Sequence, residues 1–598
     1  GLTDLPAAPG GRGRFFGISV YQCAMMRRIC ARPATSGFQG FSRMKPRLKW
    51  LSAAAALALV GVSGYVWTDL QSAPVCLGEE AVRDPHAPVV LSGWGFDPAN
   101  TRAVPESVQG IGPQDWSHLA VQWAFRFPWW TNKARSQPAV TGDTIYVGSQ
   151  RGWVYALNRW VGCVRWKTFI GAEVRTGMVL GDAGPDGERL LFFGDFNGNV
   201  HALDAGTGAR RWKAAADTHR LATVTGTPAL HDGRLYVPVS SIEVAVPALP
   251  VYPCCTFRGS VHAFDAATGA SLWQTFTTEP PTPRGRNALF VRRWGPSGAP
   301  IWSAPTIDVA RKRLYVGTGE NYSQPTNALS DAILSLDLED GRVLWSRQFT
   351  AKDAWNMSCI LPRGINCPEN AGLDLDFGAS PVLVQGADGR DVLVAGQKSG
   401  MVYGIDPEDG AVRWSRRLGR GGALGGVHWG LAARDGRVFV PISDYLKPIP
   451  GLKAPQPEDP AIPKAPGLYA VDAATGQVLW ATAVRPVCAD AEQCFPGLSA
   501  AVTALPEGVV AATLDGRLQA YDSDTGELLW ESPTARGFRA VDGRSARGGA
   551  IDAGGAIVAG SQLIVNSGYG LFSQAPGNAL LVYGAPSRES DQGAGVEK

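Results

Sequence analysis

One motif recurs seven times in this chain and leaves it few ways to fold. An apolar run that alternates like a strand ends in Asp, or once in Asn. A turn containing Gly follows, and a Trp stands eight residues after the Asp. The copies are VYALNRWVGCVRW, VHALDAGTGARRW, VHAFDAATGASLW, ILSLDLEDGRVLW, VYGIDPEDGAVRW, LYAVDAATGQVLW and LQAYDSDTGELLW, ending on Trp166, Trp212, Trp273, Trp345, Trp414, Trp480 and Trp530. Each reads as a strand, a tight turn and a returning strand. Asp and Thr side chains bond the turn backbone, Gly takes the positive φ, and the returning strand presents an indole. Repetition at such a period is the signature of stacked units. The indoles are expected to pack between neighbouring four-stranded blades.

The segment LAVQW supplies an eighth Trp, Trp123, ahead of the first full copy, while the chain-end strand GNALLVYG (577–584) has no Trp after it. The N-terminal Trp strand is therefore expected to complete the blade that the C-terminus begins. The result is an all-β, eight-bladed β-propeller of four-stranded antiparallel blades, closed so that no sheet edge stays open. It is assigned to residues 116–585. Successive Trp spacings lengthen from 43 and 46 residues to 61–72 in the middle of the chain. The central blades therefore carry loop insertions, and such loops are where propeller sites reside.

The flanks read differently. Residues 1–43 show no periodic pattern and are set aside as a non-native or unstructured leader. From Met44, MKPRLKWLSAAAALALVGVSGYVW joins a basic start to an apolar stretch over 51–67, so 44–68 reads as a signal peptide or an N-terminal membrane anchor. Residues 69–115 form an N-terminal arm, and 586–598 a disordered tail. Residues 1–50 hold nine Lys or Arg against one acid, which accounts for the net charge of +3 and leaves a mildly acidic body. That body has no basic stripe, which argues against nucleic acid as a partner. Eight cysteines remain beyond the leader, an even number with two short local pairs, as expected in an oxidising compartment such as the periplasm. The pairings expected are Cys359–Cys367, Cys488–Cys494, Cys254–Cys255 and, by elimination, Cys76–Cys163. No CxxCH motif for covalent haem attachment occurs.

The repeat resembles the quinoprotein propellers, a family that holds pyrroloquinoline quinone (PQQ) dehydrogenases and also non-catalytic envelope scaffolds of the outer-membrane assembly lipoprotein type. The resemblance spans roughly 90–585. Stretches such as GWGFDPANTRAV, YPCCTFRG, DAWNMSC and LDFGASPVL are most similar to the polyvinyl alcohol dehydrogenase branch. PQQ is a flat tricarboxylate with an ortho-quinone, so its site needs flat walls, cations for the carboxylates, a metal beside the quinone and a proton acceptor. The resemblance implies one candidate or more for each. Cys254–Cys255 would form a ring against one cofactor face, although here the pair follows an insertion after SSIE rather than preceding another blade as in methanol dehydrogenases. Trp302, in WGPSGAPIWSAPTID, would stack on the other face. Thr225 and Ser240, in VTGTPALHDGRLYVPVSSIE, would contact the cofactor. Glu243, with Glu320 or Asn321 of GTGENYSQP, would ligate Ca²⁺, a cation suited to oxygen donors. Arg175, in GAEVRTG, would pair with a carboxylate, and Lys398, in AGQKSGMVYGID, would lie beside the quinone oxygens. In GGVHWG, Trp429 matches a contact residue and His428 stands where the family has Asn.

The proton acceptor is where the sequence departs most. The family segment D-x-W-D reads DAWN here, and the amide of Asn356 cannot accept a proton. Asn356 is left to orient substrate or to donate an oxygen to the metal, and Asp353 becomes the expected base, with Asp331 and Glu320 as rivals. Ser358 stands where lanthanide-dependent relatives add a carboxylate, which points to calcium. The implied activity is a PQQ- and Ca²⁺-dependent oxidation of secondary alcohols, polyvinyl alcohol or a related polyol among them. Electrons would pass to a separate cytochrome c or quinone. The alternative is a non-catalytic scaffold of the cell envelope.

Overall fold

The computed structural model describes residues 74–585 apart from 109, 129, 185–186, 446–460, 488–495 and 573. The expected signal or anchor, the tail, Cys488 and Cys494 lie outside the described residues.

Eight antiparallel sheets follow one another along the chain, each built on four strands. Blade 1 runs from Ala139–Thr141 to Val164–Phe169, and blade 2 from Val179–Asp182 to Arg210–Ala215. The innermost strands of blades 3 to 7 are Ala229–His231, Thr306–Asp308, Val382–Gln385, Ala432–Arg434 and Thr503–Leu505. Blade 8 takes Ala556–Ala559, Gln562–Ser567 and Ala579–Gly584 from the C-terminal end of the chain and Ala120–Arg126 from its start. Ala120 pairs with Gly584 and Arg126 with Ala579. The ring closes as the missing Trp after residue 584 requires.

The repeat works as an interlock between blades. Within a blade, the Trp strand pairs so that the indole residue faces a small one: Ala156 for Trp166, Ala202 for Trp212, Ser335 for Trp345 and Gly404 for Trp414. A register shift beside this pair recurs in blades 1 to 7. Between blades, the indoles of Trp123, Trp166, Trp212, Trp273, Trp345, Trp414 and Trp480 each lie on the turn glycine of the next. A methyl group on Gly208 would sit 2.5 Å from Trp166, and one on Gly476 would sit 2.5 Å from Trp414. These glycines also have φ near +72°, so the turn needs Gly twice, for its conformation and for the close approach. In six of these, Trp273 being the exception among the described residues, the indole Nε1 donates to a backbone carbonyl of that turn, as from Trp166 to Ala205 O at 3.1 Å and from Trp414 to Ala473 O at 2.9 Å. Asp472 Oδ1 accepts from both the amide and the hydroxyl of Thr475, fixing the turn from its other side.

The apolar core lies in the interfaces between successive blades. Val392, Val394 and Val402 of blade 5, for example, pack with Val438, Val440 and Val471 of blade 6. The arm is ordered against this ring. Val89–Leu91 adds a strand to blade 1, and Cys76–Cys163 ties the arm to the turn of the same blade. Residues 98–104 then cross several inner strands: Ile307 N bonds Pro98 O, Leu383 N bonds Ala99 O, Ala433 N bonds Thr101 O, and Ala504 N bonds Arg102 O. The buried Arg102 guanidinium donates to Val502 O, Trp94 O, Gln137 Oε1 and Gly554 O, joining blades 7, 8 and 1.

Candidate active site

Just ahead of the inner strands, the chain opens a cavity of about 570 Å³. Trp302 precedes the inner strand of blade 4 and forms part of its wall. Its indole Nε1 donates to Asp376 Oδ2 at 2.9 Å, the Lys398 ammonium lies 5.3 Å from its ring, and Trp429 meets it edge-on at 5.1 Å. Gly378 is what lets the indole seat there, since any side chain at 378 would collide with it. Trp429 also lines the cavity, and its indole N–H is buried without a partner among the described residues. The Arg175 guanidinium lies 5.5 Å from the Trp429 ring and also lines the cavity. Thr223, Thr225 and Ser240 form a run of hydroxyls, with Ser240 Oγ 3.0 Å from Thr223 Oγ1 and 2.7 Å from Thr225 Oγ1.

The strongest charges are grouped. Glu320, Asp374 and Asp376 bring one carboxylate oxygen each within 4.8 Å of one another, all three buried. Lys398 Nζ reaches Asp374 Oδ1 at 2.8 Å and Asp376 Oδ2 at 2.9 Å. Burial opposes a charged lysine, but these two carboxylates outweigh it and raise its pKa. Burial likewise pushes Asp376 upward, yet Lys398 and the hydrogen bonds from Glu320 hold it below the ordinary carboxylate range. Glu320 goes the other way, raised by burial and by its neighbours Asp376 and Asp374. Fully ionised, the three carboxylates would exceed the one ammonium by two charges, an excess that a hard cation offsets, and the repulsion among them shows in the raised Glu320 and Asp374. Asp374 and Asp376 escaped the sequence reading. Their signal was there, in LDLDFG, where two acids stand among apolar residues.

Several residues expected at the site are placed elsewhere. Glu243 is fully buried, and its carboxylate is taken up by Tyr252 Oη at 2.7 Å and by the amides of Thr256 and Phe257 at 2.9 and 2.7 Å. Its neighbours Ile242 and Val244 line the cavity while it points away, so it braces the 252–257 turn and is not in reach of the carboxylate cluster. Cys254 and Cys255 are bonded to each other as expected, but they pack with Tyr252, Phe257 and Tyr322 in the core of that turn and form no part of the cavity wall. The disulfide that does line the cavity is Cys359–Cys367. Asn321 sends its side chain to Ser297 O and Asn327 N, because it alternates with Glu320 along an extended chain.

The expected proton-transfer residues are displaced as well. Asn356 caps the short 3₁₀ helix Met357–Ile360, accepting from Ser358 N and donating to Tyr322 O and Asn366 O. Ser358 accepts from Asn366 N in the same turn, so it offers no test of the metal. Asp353 is buried against Gly372 and accepts from Leu375 N; neither it nor the fully buried Asp331 lines the cavity. Trp355, two residues after Asp353, does.

The comparisons with known proteins agree with this architecture. A family model described as "Glucose/ethanol/alcohol dehydrogenase, beta-propeller domain" matches residues 93–360, and one described as "Outer membrane protein assembly factor BamB" matches 330–588. Polyvinylalcohol dehydrogenases from Pseudomonas sp and from Sphingopyxis sp. (strain 113P3) are each 37% identical to the chain. The first aligns over 91% of this chain and 81% of its own length, the second over 85% and 77%. Among solved structures, the quinohemoprotein alcohol dehydrogenase ADHIIG from Pseudomonas putida HK5 superposes with a TM-score of 0.61 at 18% identity, covering 86% of this chain and 82% of its own. The Comamonas testosteroni enzyme gives 0.59 at 20% identity, covering 85% and 82%. At such identities the superpositions establish the fold; the identity shared with the polyvinylalcohol dehydrogenases goes further, and by it the chain belongs to the PQQ-dependent alcohol dehydrogenase family of quinoprotein propellers.

Proposed function

We propose that this enzyme oxidises secondary alcohol groups, those of polyvinyl alcohol or a related polyol included, with PQQ and Ca²⁺ bound in the cavity beside Trp302. The observation that carries the reading is the meeting, in one pocket, of three indoles, two cations and three clustered carboxylates. Arg175 would pair with a cofactor carboxylate, Lys398 would lie beside the quinone oxygens, Thr225 and Ser240 would donate hydroxyls, and Trp302 with Trp429 would supply flat apolar surface. The partnerless Trp429 N–H fits a ligand rich in acceptors. Glu320, Asp374 and Asp376 would hold the calcium ion, whose two charges offset their excess over Lys398. When bound, the quinone supplies a two-electron acceptor for the hydrogen leaving the alcohol carbon.

The rest of the lining favours an aliphatic substrate. Phe196, Ile360, Leu373, Leu424, Leu571 and Phe572 surround the polar cluster, so a hydrocarbon chain can be desolvated while one hydroxyl reaches the charged end. Three disulfides among the described residues support an oxidising compartment, the periplasm. Electrons would leave to a separate cytochrome c or another acceptor. A scaffold of the envelope would need none of the buried charges at Arg175, Lys398 and Glu320.

The test is reconstitution of the purified chain with PQQ and Ca²⁺, followed by absorption spectroscopy and dye-linked turnover of primary alcohols, secondary alcohols and polyvinyl alcohol. A quinone spectrum that needs Ca²⁺, with fastest turnover on secondary alcohols, is the expected result. Absence of quinone binding would overturn the reading.

A further inference from the structure

His428 lines the cavity with its ring edge-on to Trp302, the centroids 5.8 Å apart. From its far side a hydrogen-bond chain runs away from the cavity into the ring of blades. His428 Nδ1 lies 2.7 Å from Ser499 Oγ, and Ser499 Oγ donates to Asp552 Oδ1 at 2.8 Å. The three residues stand just ahead of the inner strands of blades 6, 7 and 8, and Ser499 and Asp552 are buried.

The partners fix the direction of this chain. An ionised carboxylate only accepts, so the Ser499 hydroxyl spends its proton on Asp552 and must accept from His428. Nδ1 therefore carries the ring proton. In a neutral imidazole that leaves a lone pair on Nε2, which has no hydrogen-bond partner among the described residues. Burial, Lys398 and Arg175 together push His428 down to about 3 against the opposing pull of Asp376, so the ring is neutral. Asp552 is pushed up to about 6 by burial, against Ser499, the Ala553 amide, Arg135 and Arg175, and is ionised at neutral pH.

Resting on the alcohol dehydrogenase reading above, we infer that His428 is the catalytic base, accepting the substrate's hydroxyl proton on Nε2, and that Ser499 and Asp552 are positioning residues that hold its Nδ1–H tautomer. The O–H bond breaks and its proton forms the Nε2–H bond, while the O–H electron pair becomes the second bond of the carbonyl. The C–H bond would break with its electron pair, leaving as hydride to the two-electron acceptor that the quinone would supply when bound, so the alcohol would lose two electrons and two hydrogens. This role falls to a residue on the cavity wall, where Asp353 and Asp331 are not.

A pH response follows from the same chain. Below about pH 6, Asp552 gains a proton and becomes a donor. The Ser499 hydroxyl is then free to donate to Nδ1, the ring proton moves to Nε2, and the cavity loses its acceptor. The charged groups around the chain keep their states through this range. Arg175 and Arg135 stay cationic beside Asp552, Lys398 stays cationic beside His428, Asp376 stays ionised, and Tyr569, raised by burial, stays neutral.

Nitrogen NMR of cofactor-free protein labelled on histidine reads the tautomer without any turnover, with His428 assigned from the signal lost in His428→Gln. The expected result is the Nδ1–H form at pH 8, moving toward Nε2–H in Asp552→Asn. In the reconstituted enzyme, His428→Gln should lower kcat at least a hundredfold, within the usual range for a general base. Its quinone dissociation constant should stay within threefold of wild type. Asp552→Asn should lower kcat and abolish the acid limb near pH 6. An Nε2–H tautomer at pH 8, a near-normal kcat in His428→Gln, or a loss of quinone binding that accounts for the lost rate would each overturn the assignment. A wild-type protein that shows the expected tautomer but oxidises no alcohol would instead overturn the dehydrogenase reading, and the catalytic role with it.

Discussion

Glu243 shows how a carboxylate can sit beside a binding cavity and still be structural. Its two oxygens collect a hydroxyl and two amides from the 252–257 turn. Converting it to Gln would turn an amide N–H₂ toward backbone N–H donors that have no other partner, at about 1–3 kcal/mol for each buried group left unsatisfied. Glu243→Gln should therefore lower the urea midpoint, while Ca²⁺ affinity measured in the presence of PQQ stays within threefold of wild type. Glu320→Gln should do the reverse, weakening Ca²⁺ at least tenfold with little change in the midpoint. Equal loss of Ca²⁺ affinity in both would return Glu243 to the metal site. The two residues also mark what the sequence could tell. Trp302, Arg175, Thr225, Lys398 and Trp429 stand close to inner or second strands, whose register is tied to the Trp repeat, and all of them lie on the cavity wall. Glu243, Asp353 and Asn356 sit in insertions between strands, where no period fixes which way a side chain points, and Asn321 alternates with Glu320 so that only one of the two can face the cavity. Ser499 and Asp552 carry no local motif; only the closed ring brings them to His428.

At the scale of the element, the unit that repeats is a blade and the joint that repeats is an indole on a glycine. This part of the fold was legible, because eight residues from Asp to Trp set both the turn and the strand that returns. The recurrent register shift was not legible, since an extra residue opposite a small partner leaves no mark in the apolar alternation. The joint can be separated from the turn by comparing two glycines of nearly equal conformation. Gly476 has φ +72° with Trp414 2.5 Å from where its Cβ would be; Gly389 has φ +75° with nothing within 4 Å. Ala at Gly389 pays only the left-handed conformation, about 1–2 kcal/mol. Ala at Gly476 adds a displaced indole, about 1–3 kcal/mol more for overpacking. Thermal melting should rank Gly476→Ala clearly below Gly389→Ala; equal melting temperatures would mean that the indole makes room freely.

The blades form a ring whose cavity draws on several of them and whose closure rests on two strands distant in sequence. Arg175 comes from between blades 1 and 2, Trp302 precedes blade 4, Asp376 precedes blade 5, His428 precedes blade 6, and its partner Asp552 precedes blade 8. A ligand that touches this set binds the closed ring and not an opened one. By mass action, quinone with Ca²⁺ at a hundred times its dissociation constant should stabilise the closed form by about 2.7 kcal/mol. That energy is felt wherever the ring opens, including strands that touch no ligand. Ala120–Arg126 and Ala579–Gly584 are such strands: they form the seam of blade 8 and contribute nothing to the cavity wall. Hydrogen exchange should therefore slow in the amides of this seam when PQQ and Ca²⁺ are added together, by roughly the hundredfold that this energy represents wherever exchange proceeds through ring opening. Arg102→Met, which removes the guanidinium bridging blades 7, 8 and 1, should speed exchange in the same seam when no ligand is present. Protection confined to the cavity loops, with the seam unchanged, would mean that the blades open independently and that the ring is not one cooperative unit.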